Sequence, residues 1–165
     1  KIEGGTIFAY QVSDPSRYGI VSFDHNLKVN KIEEKPENPS SNYAITGIYF
    51  YSNSVIEIAK TLKPSKRGEL EITDINKSLL RHGKLNVQIL RRGMAWLDTG
   101  TFDSLHEAGA FIKTVEKRQD LKIGCPEEIA WKLNYINEDK LKELASKYSS
   151  SSYGKYLLKL LNKEI

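Results

Sequence analysis

Cysteine is nearly missing from this 165-residue sequence, where Cys125 stands alone. A single thiol excludes an intrachain disulfide framework and a zinc site built from cysteines, and it suits a reducing compartment. No apolar run approaches the roughly 20 residues needed to cross a bilayer, so no membrane partner is expected. Blocks of like charge are missing too: 25 Lys and Arg are interleaved with 21 Asp and Glu, leaving +4 and a sequence pI near 9.0. That balance suits phosphate-bearing ligands and lacks the footprint of a nucleic-acid binder. The chain opens Lys1-Ile2-Glu3-Gly4-Gly5 without an apolar signal core, and a cytoplasmic location is expected. His25, His82 and His106 have no second His or Cys at ligand spacing and read as surface residues. No Ser-His-Asp or Cys-His grouping declares itself.

What is present is an ordinary globular composition, with nine Tyr, five Phe and two Trp to bury. Thr6 to Val12, Gly19 to Phe23, Leu27 to Glu34, Ile45 to Tyr51 and Leu85 to Leu90 read as strands. The second and third flank Asp24-His25-Asn26 and predict an antiparallel hairpin. The fourth is too continuously apolar for a solvated face, so it reads as buried. Helical spacing follows Ser54, and again follows Thr73 or Asp74 as cap, with Gly83 as the stop. From Thr101 four amphipathic helices are expected, the last after a flexible Ser149 to Ser152 stretch. The fold class is therefore α/β: residues 1–100 form a mixed-sheet body with a β-hairpin, and residues 101–165 a helical tail.

Four places carry candidate chemistry. In Glu33-Glu34-Lys35-Pro36 a carboxylate that accepts sugar hydroxyls adjoins an ammonium that neutralises phosphate. Both reach one ligand only if the strand bends, while Pro36 restricts Lys35 to extended geometry; a solvated turn is the alternative. Asp98, in Trp96-Leu97-Asp98-Thr99-Gly100, is expected at a strand end, where it holds Mg²⁺ or merely satisfies helix-start amides. Arg67, in Arg67-Gly68-Glu69-Leu70-Glu71-Ile72-Thr73-Asp74, forks onto phosphate or belongs to a charged loop feeding a cap. Gly19 after Tyr18 admits a close ligand or serves a plain turn.

The order and spacing of these motifs, with Ile45-Thr46-Gly47-Ile48-Tyr49 between them, resemble the sugar-1-phosphate nucleotidyltransferases. Glu116-Lys117-Arg118-Gln119, Cys125-Pro126-Glu127-Glu128-Ile129-Ala130 and Tyr153-Gly154-Lys155-Tyr156-Leu157 resemble the short-form glucose-1-phosphate thymidylyltransferases. The resemblance implies a Rossmann-like nucleotide-diphospho-sugar transferase fold and formation of dTDP-glucose and pyrophosphate from dTTP and glucose 1-phosphate, a step in dTDP-rhamnose and deoxysugar biosynthesis. It places Gly19, Glu34 and Ile45 on the glucose ring, with Tyr18, Tyr49 and Trp96 lining the pocket. Lys35 and Arg67 bind the phosphate and screen charge, Glu69 orients Arg67 or a ligand group, and Asp98 is one of two aspartates on Mg²⁺. Arg92, Lys122, Ile123, Gly124, Glu128 and Ile129 match a second, regulatory nucleotide site, and a homotetramer is implied. The family's Gly-Gly-x-Gly-Thr-Arg-Leu loop, its first metal aspartate and its base-reading residues have no counterpart here. The expectation is thus a later portion of such an enzyme, inactive alone. A uridylyl- or cytidylyltransferase and a non-catalytic oligomerising module stay open as alternatives.

Overall fold

The structure is a computed structural model, and it describes residues 3–26 and 28–162. The chain divides into two compact units, Lys1–Trp96 and Leu97–Ile165, each with its own core.

The first unit is a five-stranded mixed sheet in the order β3-β2-β4-β1-β5, formed by β1 (Gly5–Gln11), β2 (Gly19–Phe23), β3 (Val29–Glu34), β4 (Tyr43–Tyr51) and β5 (Leu85–Ile89). Only β1 and β5 run parallel; the other pairings are antiparallel, including the expected β2–β3 hairpin. Leu27, assigned to a strand from the sequence, lies outside the described residues. Two helices fill the β4 to β5 connection, α1 (Val55–Lys60) and α2 (Ile72–Arg81). Ile7, Ala9, Val21, Ile32 and Ile45 form the buried centre on one face of the sheet, with Tyr49 and Tyr51 packed against it. Burying residues of this size contributes about 1.5–3 kcal/mol each for the larger aliphatics.

Two expectations about the elements of this unit fail. β4 is not buried throughout, because alternate residues leave the sheet on opposite faces. Tyr49 and Tyr51 turn inward, while Ile48 and Phe50 on the other face are about half exposed, Phe50 touching the ring of Phe8. The second helix starts earlier than Thr73: its cap position is Glu71, and Thr73 lies buried in the first turn.

The second unit is helical, with α3 (Phe102–Gln119), α4 (Pro126–Lys132), α5 (Glu138–Lys147) and α6 (Ser152–Leu161). Thr101 caps α3 in a reciprocal capping box with Ser104, so the helix begins where its sequence signal says. Its apolar stripe is nonetheless largely open: Ala108 is buried, while Phe102 and Leu105 are exposed. The core is instead Cys125, Leu141, Ala145, Tyr156, Leu157 and Leu160, drawn from the cap of α4 and from α5 and α6. The serine run is not a free linker. Ser151 accepts the Gly154 amide at 3.1 Å as the cap of α6, and Ser152 is already helical.

Candidate functional site

The chemistry of the first unit gathers where β2 begins and β3 ends. Gly19 and Glu34 are paired across the ladder, and the ladder runs one residue further because the Lys35 amide donates to the Tyr18 carbonyl at 3.0 Å. Lys35 then turns out of the strand with φ +39°, not the extended geometry expected before Pro36. The long-range amide bond outweighs the local pre-proline preference here, and the strand bends at Lys35. Among the described residues, no carboxylate pairs with the Lys35 ammonium.

Glu34 is the centre of the arrangement. The Thr73 hydroxyl donates to its Oε2, and the Arg67 guanidinium stands 3.7 Å from its Oε1. Gly19 leaves the room for this: a Cβ there would meet Glu34 Oε2 at 3.2 Å, Thr73 Oγ1 at 3.3 Å and Ile45 Cδ1 at 3.7 Å. Gly19, Glu34 and Ile45 therefore come together as anticipated, with Thr73 as an unanticipated fourth member. Burial pushes the Tyr49 phenol up from its ordinary pKa, and the negative charge of Glu34 adds to the shift. Tyr49 stacks at 5.6 Å on Tyr51, whose hydroxyl donates to Asn76 at 2.6 Å.

Trp96 reaches the same region by a tether. The Leu90 amide continues the β1–β5 pairing by donating to Ala9 at 2.8 Å, and the Tyr10 hydroxyl donates to the Met94 carbonyl at 3.2 Å. Trp96 then lies 6.0 Å from the Tyr10 ring and 5.1 Å, edge to face, from Tyr18. Aromatic faces flanking hydroxyl-accepting carboxylates suit a polar ring with apolar faces.

Arg67 sits in the loop between α1 and α2, surrounded by acids. Its Nη2 holds Glu69 at 2.6 Å, while Nη1 stands 3.7 Å from Glu34 and 3.6 Å from Glu71. Glu71 is the most buried of the three carboxylates, and it accepts the Ser65 hydroxyl at 2.8 Å. The sequence suggests Thr73 only as a helix cap and assigns Ser65 and Glu71 no part in a site, because their partners are set by the loop's closure and by a strand 39 residues away.

Asp98 belongs to the second unit and follows irregular chain, so it does not stand at a strand end as expected. Its carboxylate lies against Gly100, where a Cβ would be 3.3 Å from Oδ2. No group of three or more His, Cys, Asp or Glu able to hold a metal occurs among the described residues. A half-buried carboxylate such as Asp98 fits Mg²⁺ chemistry, in which one or two carboxylates are completed by substrate phosphate oxygens.

The residues matched to a second nucleotide site fall in both units. Arg92 is exposed in the turn after β5. Lys122 pairs with Glu116 at 2.5 Å, and the Ile123 amide donates to the same carboxylate at 3.0 Å. Gly124 takes φ +69° before α4. Glu128 is buried, accepting Lys132 and the Tyr156 hydroxyl at 2.5 Å each, while Ile129 is half exposed.

A family model described as nucleotidyl transferase matches residues 1–115. Glucose-1-phosphate thymidylyltransferases of Neisseria meningitidis serogroup A and Mycolicibacterium smegmatis are 55% identical over 160 residues and 54% over 163. These alignments take in 97% and 99% of the chain but 56% and 57% of the relatives, so the chain spans little more than half their length. A Bacillus anthracis crystal structure named for the same enzyme, and holding a sucrose, matches with TM-score 0.62 and 41% identity over 74% of the chain and 46% of its own. A UDP-glucose pyrophosphorylase complexed with UDP-glucose matches in fold, with TM-score 0.59 at 24% identity over 67% of the chain and 45% of its own.

Proposed function

The chain belongs to the nucleotidyl transferase family, and from that premise we propose that it forms the sugar-phosphate side of a glucose-1-phosphate thymidylyltransferase. The observation that supports this most is the Gly19–Glu34–Thr73–Arg67 grouping, where an oriented carboxylate lies beside a glycine gap and within reach of a guanidinium. Glu34 accepts glucose hydroxyls, and Gly19 and Ile45 let the ring approach the backbone. Tyr18, Tyr49 and Trp96 cover its faces. Lys35 and Arg67 take the phosphate, with Glu69 yielding Arg67 to it; an exposed pair of this kind is worth only about 0.2–1 kcal/mol, which a phosphate dianion overcomes.

In the whole enzyme a phosphate oxygen of glucose 1-phosphate attacks the α-phosphorus of dTTP. A new P–O bond forms, the bond to the β-phosphate bridging oxygen breaks, and pyrophosphate leaves with that electron pair. The residues of this chain orient the attacking phosphate and screen the repulsion between two anions. When bound, Mg²⁺ would be held in part by Asp98 and would supply further charge screening. Lys122, Ile123, Gly124, Glu128 and Ile129 serve a second nucleotide in this reading, which also has the whole protein assemble as a homotetramer.

Calorimetric titration of the chain with glucose 1-phosphate tests the reading. Binding is expected to weaken about ten- to hundredfold, yet stay measurable, in Arg67→Ala and Glu34→Ala, and to be competed weakly by inorganic phosphate alone. Unchanged affinity in both variants would sink it. Assay of the whole protein with dTTP, UTP and CTP separates the thymidylyltransferase from a uridylyl- or cytidylyltransferase.

A further inference from the structure

We infer that Ser65 is a positioning residue that keeps Arg67 available to an anionic ligand by occupying Glu71. The inference rests on the reading of Arg67 as the phosphate ligand.

Every polar group of Ser65 is engaged inside the loop that carries Arg67. Its amide donates to the Glu69 carbonyl at 2.8 Å, and its carbonyl accepts the Gly68 amide at 2.9 Å. Its hydroxyl oxygen accepts the Arg67 amide at 3.2 Å and donates to Glu71 Oε1 at 2.8 Å. That same Oε1 faces Arg67 Nη1 at 3.6 Å, about an ångström beyond the direct contact the guanidinium makes with Glu69. Glu71 is thus satisfied by a neutral hydroxyl while the guanidinium stays between Glu71 and Glu34.

A carboxylate whose side chain is 11% exposed needs donors, since leaving it short of one costs more than a surface group would suffer. Without the Ser65 hydroxyl, the cation already within reach of Glu71 is Arg67 Nη1, at 3.6 Å. Closing 3.6 Å to a direct bond draws the guanidinium toward Glu71, away from Glu34 and from any phosphate beside it. The serine therefore acts through charge placement, with no contact to the ligand required.

A double-substitution cycle tests this by titrating the chain with glucose 1-phosphate. Ser65→Ala is expected to weaken binding about tenfold, the order of one hydrogen bond to a charged group. Ser65→Thr, which keeps the hydroxyl, should stay within about twofold of the parent. In an Arg67→Ala background, Ser65→Ala should add no further loss, a readout that general loop damage would not produce. Additive losses, or parental affinity in Ser65→Ala while Arg67→Ala binds weakly, would overturn the inference and leave the functional reading standing. If Arg67→Ala leaves binding unchanged, the reading of Arg67 fails and Ser65 has nothing to position.

Discussion

Gly19 and Glu34 are cross-strand partners, and the glycine's missing side chain is the space that the glutamate carboxylate and the Thr73 hydroxyl share. Gly19 does not adopt a left-handed backbone, so the residue is required for room and not for conformation. A Cβ at 3.2 Å from Glu34 Oε2 and 3.3 Å from Thr73 Oγ1 displaces that pair by a few tenths of an ångström.

Gly19→Ala therefore separates function from stability. Alanine lowers the chain's unfolded entropy and suits a strand better by up to about 1 kcal/mol, which offsets the crowding. The misplaced carboxylate has no such compensation, and affinity for glucose 1-phosphate should fall about tenfold. Calorimetry beside a urea melt checks both halves. A variant that binds normally, or one that loses several kcal/mol, contradicts the argument.

Glu34→Gln tests the electrostatic link to Tyr49. The phenol's pKa is raised first by burial and second by the nearby carboxylate, because a negative neighbour disfavours the phenolate. Removing the charge keeps the burial and deletes the second cause. Tyr49 should therefore ionise at lower pH than in the parent, though still above an ordinary tyrosine. The difference in phenolate absorbance between Glu34→Gln and Glu34→Gln with Tyr49→Phe isolates the group; no downward shift would break the link.

Much of this fold is legible in the sequence, because its signals are local. The β2–β3 hairpin and the start of α3 at Thr101 follow from turn and cap residues within a few positions. The site is legible as residue types, yet its construction is not. Lys35 leaves the extended region because its amide answers Tyr18, and Thr73 serves Glu34 rather than its own helix. Ser65 and Glu71 pair only once the loop closes. Hydrophobic continuity also misleads at Ile48 and Phe50, since an apolar run names no face and no covering element.

The second unit should lose stability at both ends of the pH range. Burial pushes the Glu128 carboxyl up, but the hydrogen bonds from Lys132 and Tyr156 outweigh it and hold it below the usual value. A carboxylate depressed on folding contributes stability that is present above its unfolded pKa and lost as pH falls through the folded value. Tyr156 is pushed up to about 12, chiefly by burial and then by Glu128. Its contribution is present below the ordinary phenol pKa of about 10 and is lost as pH rises through the folded value. Glu128→Gln should flatten the acid limb of a urea midpoint plotted against pH. An acid limb as steep as the parent's would remove Glu128 as its cause.

Gly154→Ala should be among the most damaging small substitutions in the chain. Gly154 lies in the first turn of α6, where a Cβ would stand 2.2 Å from the Tyr148 carbonyl oxygen and 3.0 Å from that of Ala145. Both obstacles are backbone at the end of α5, so neither can swing aside as a side chain would. Alanine must push α6 away from α5, opening the packing of Leu157 and Leu160 against Leu141 and Ala145. The expected cost is about 2–3 kcal/mol, the upper part of the range for overpacked sites. Ser151→Ala provides the comparison, since it removes the cap bond to the Gly154 amide and the hydroxyl's bond to the Tyr148 carbonyl at 2.7 Å without adding volume, and it should cost about 1 kcal/mol. The two tryptophans divide between the units, so Trp131, packed on this core, reports the loss in a Trp96→Phe background. Equal urea midpoints for Gly154→Ala and the parent would show that α6 does not approach α5 as closely as described.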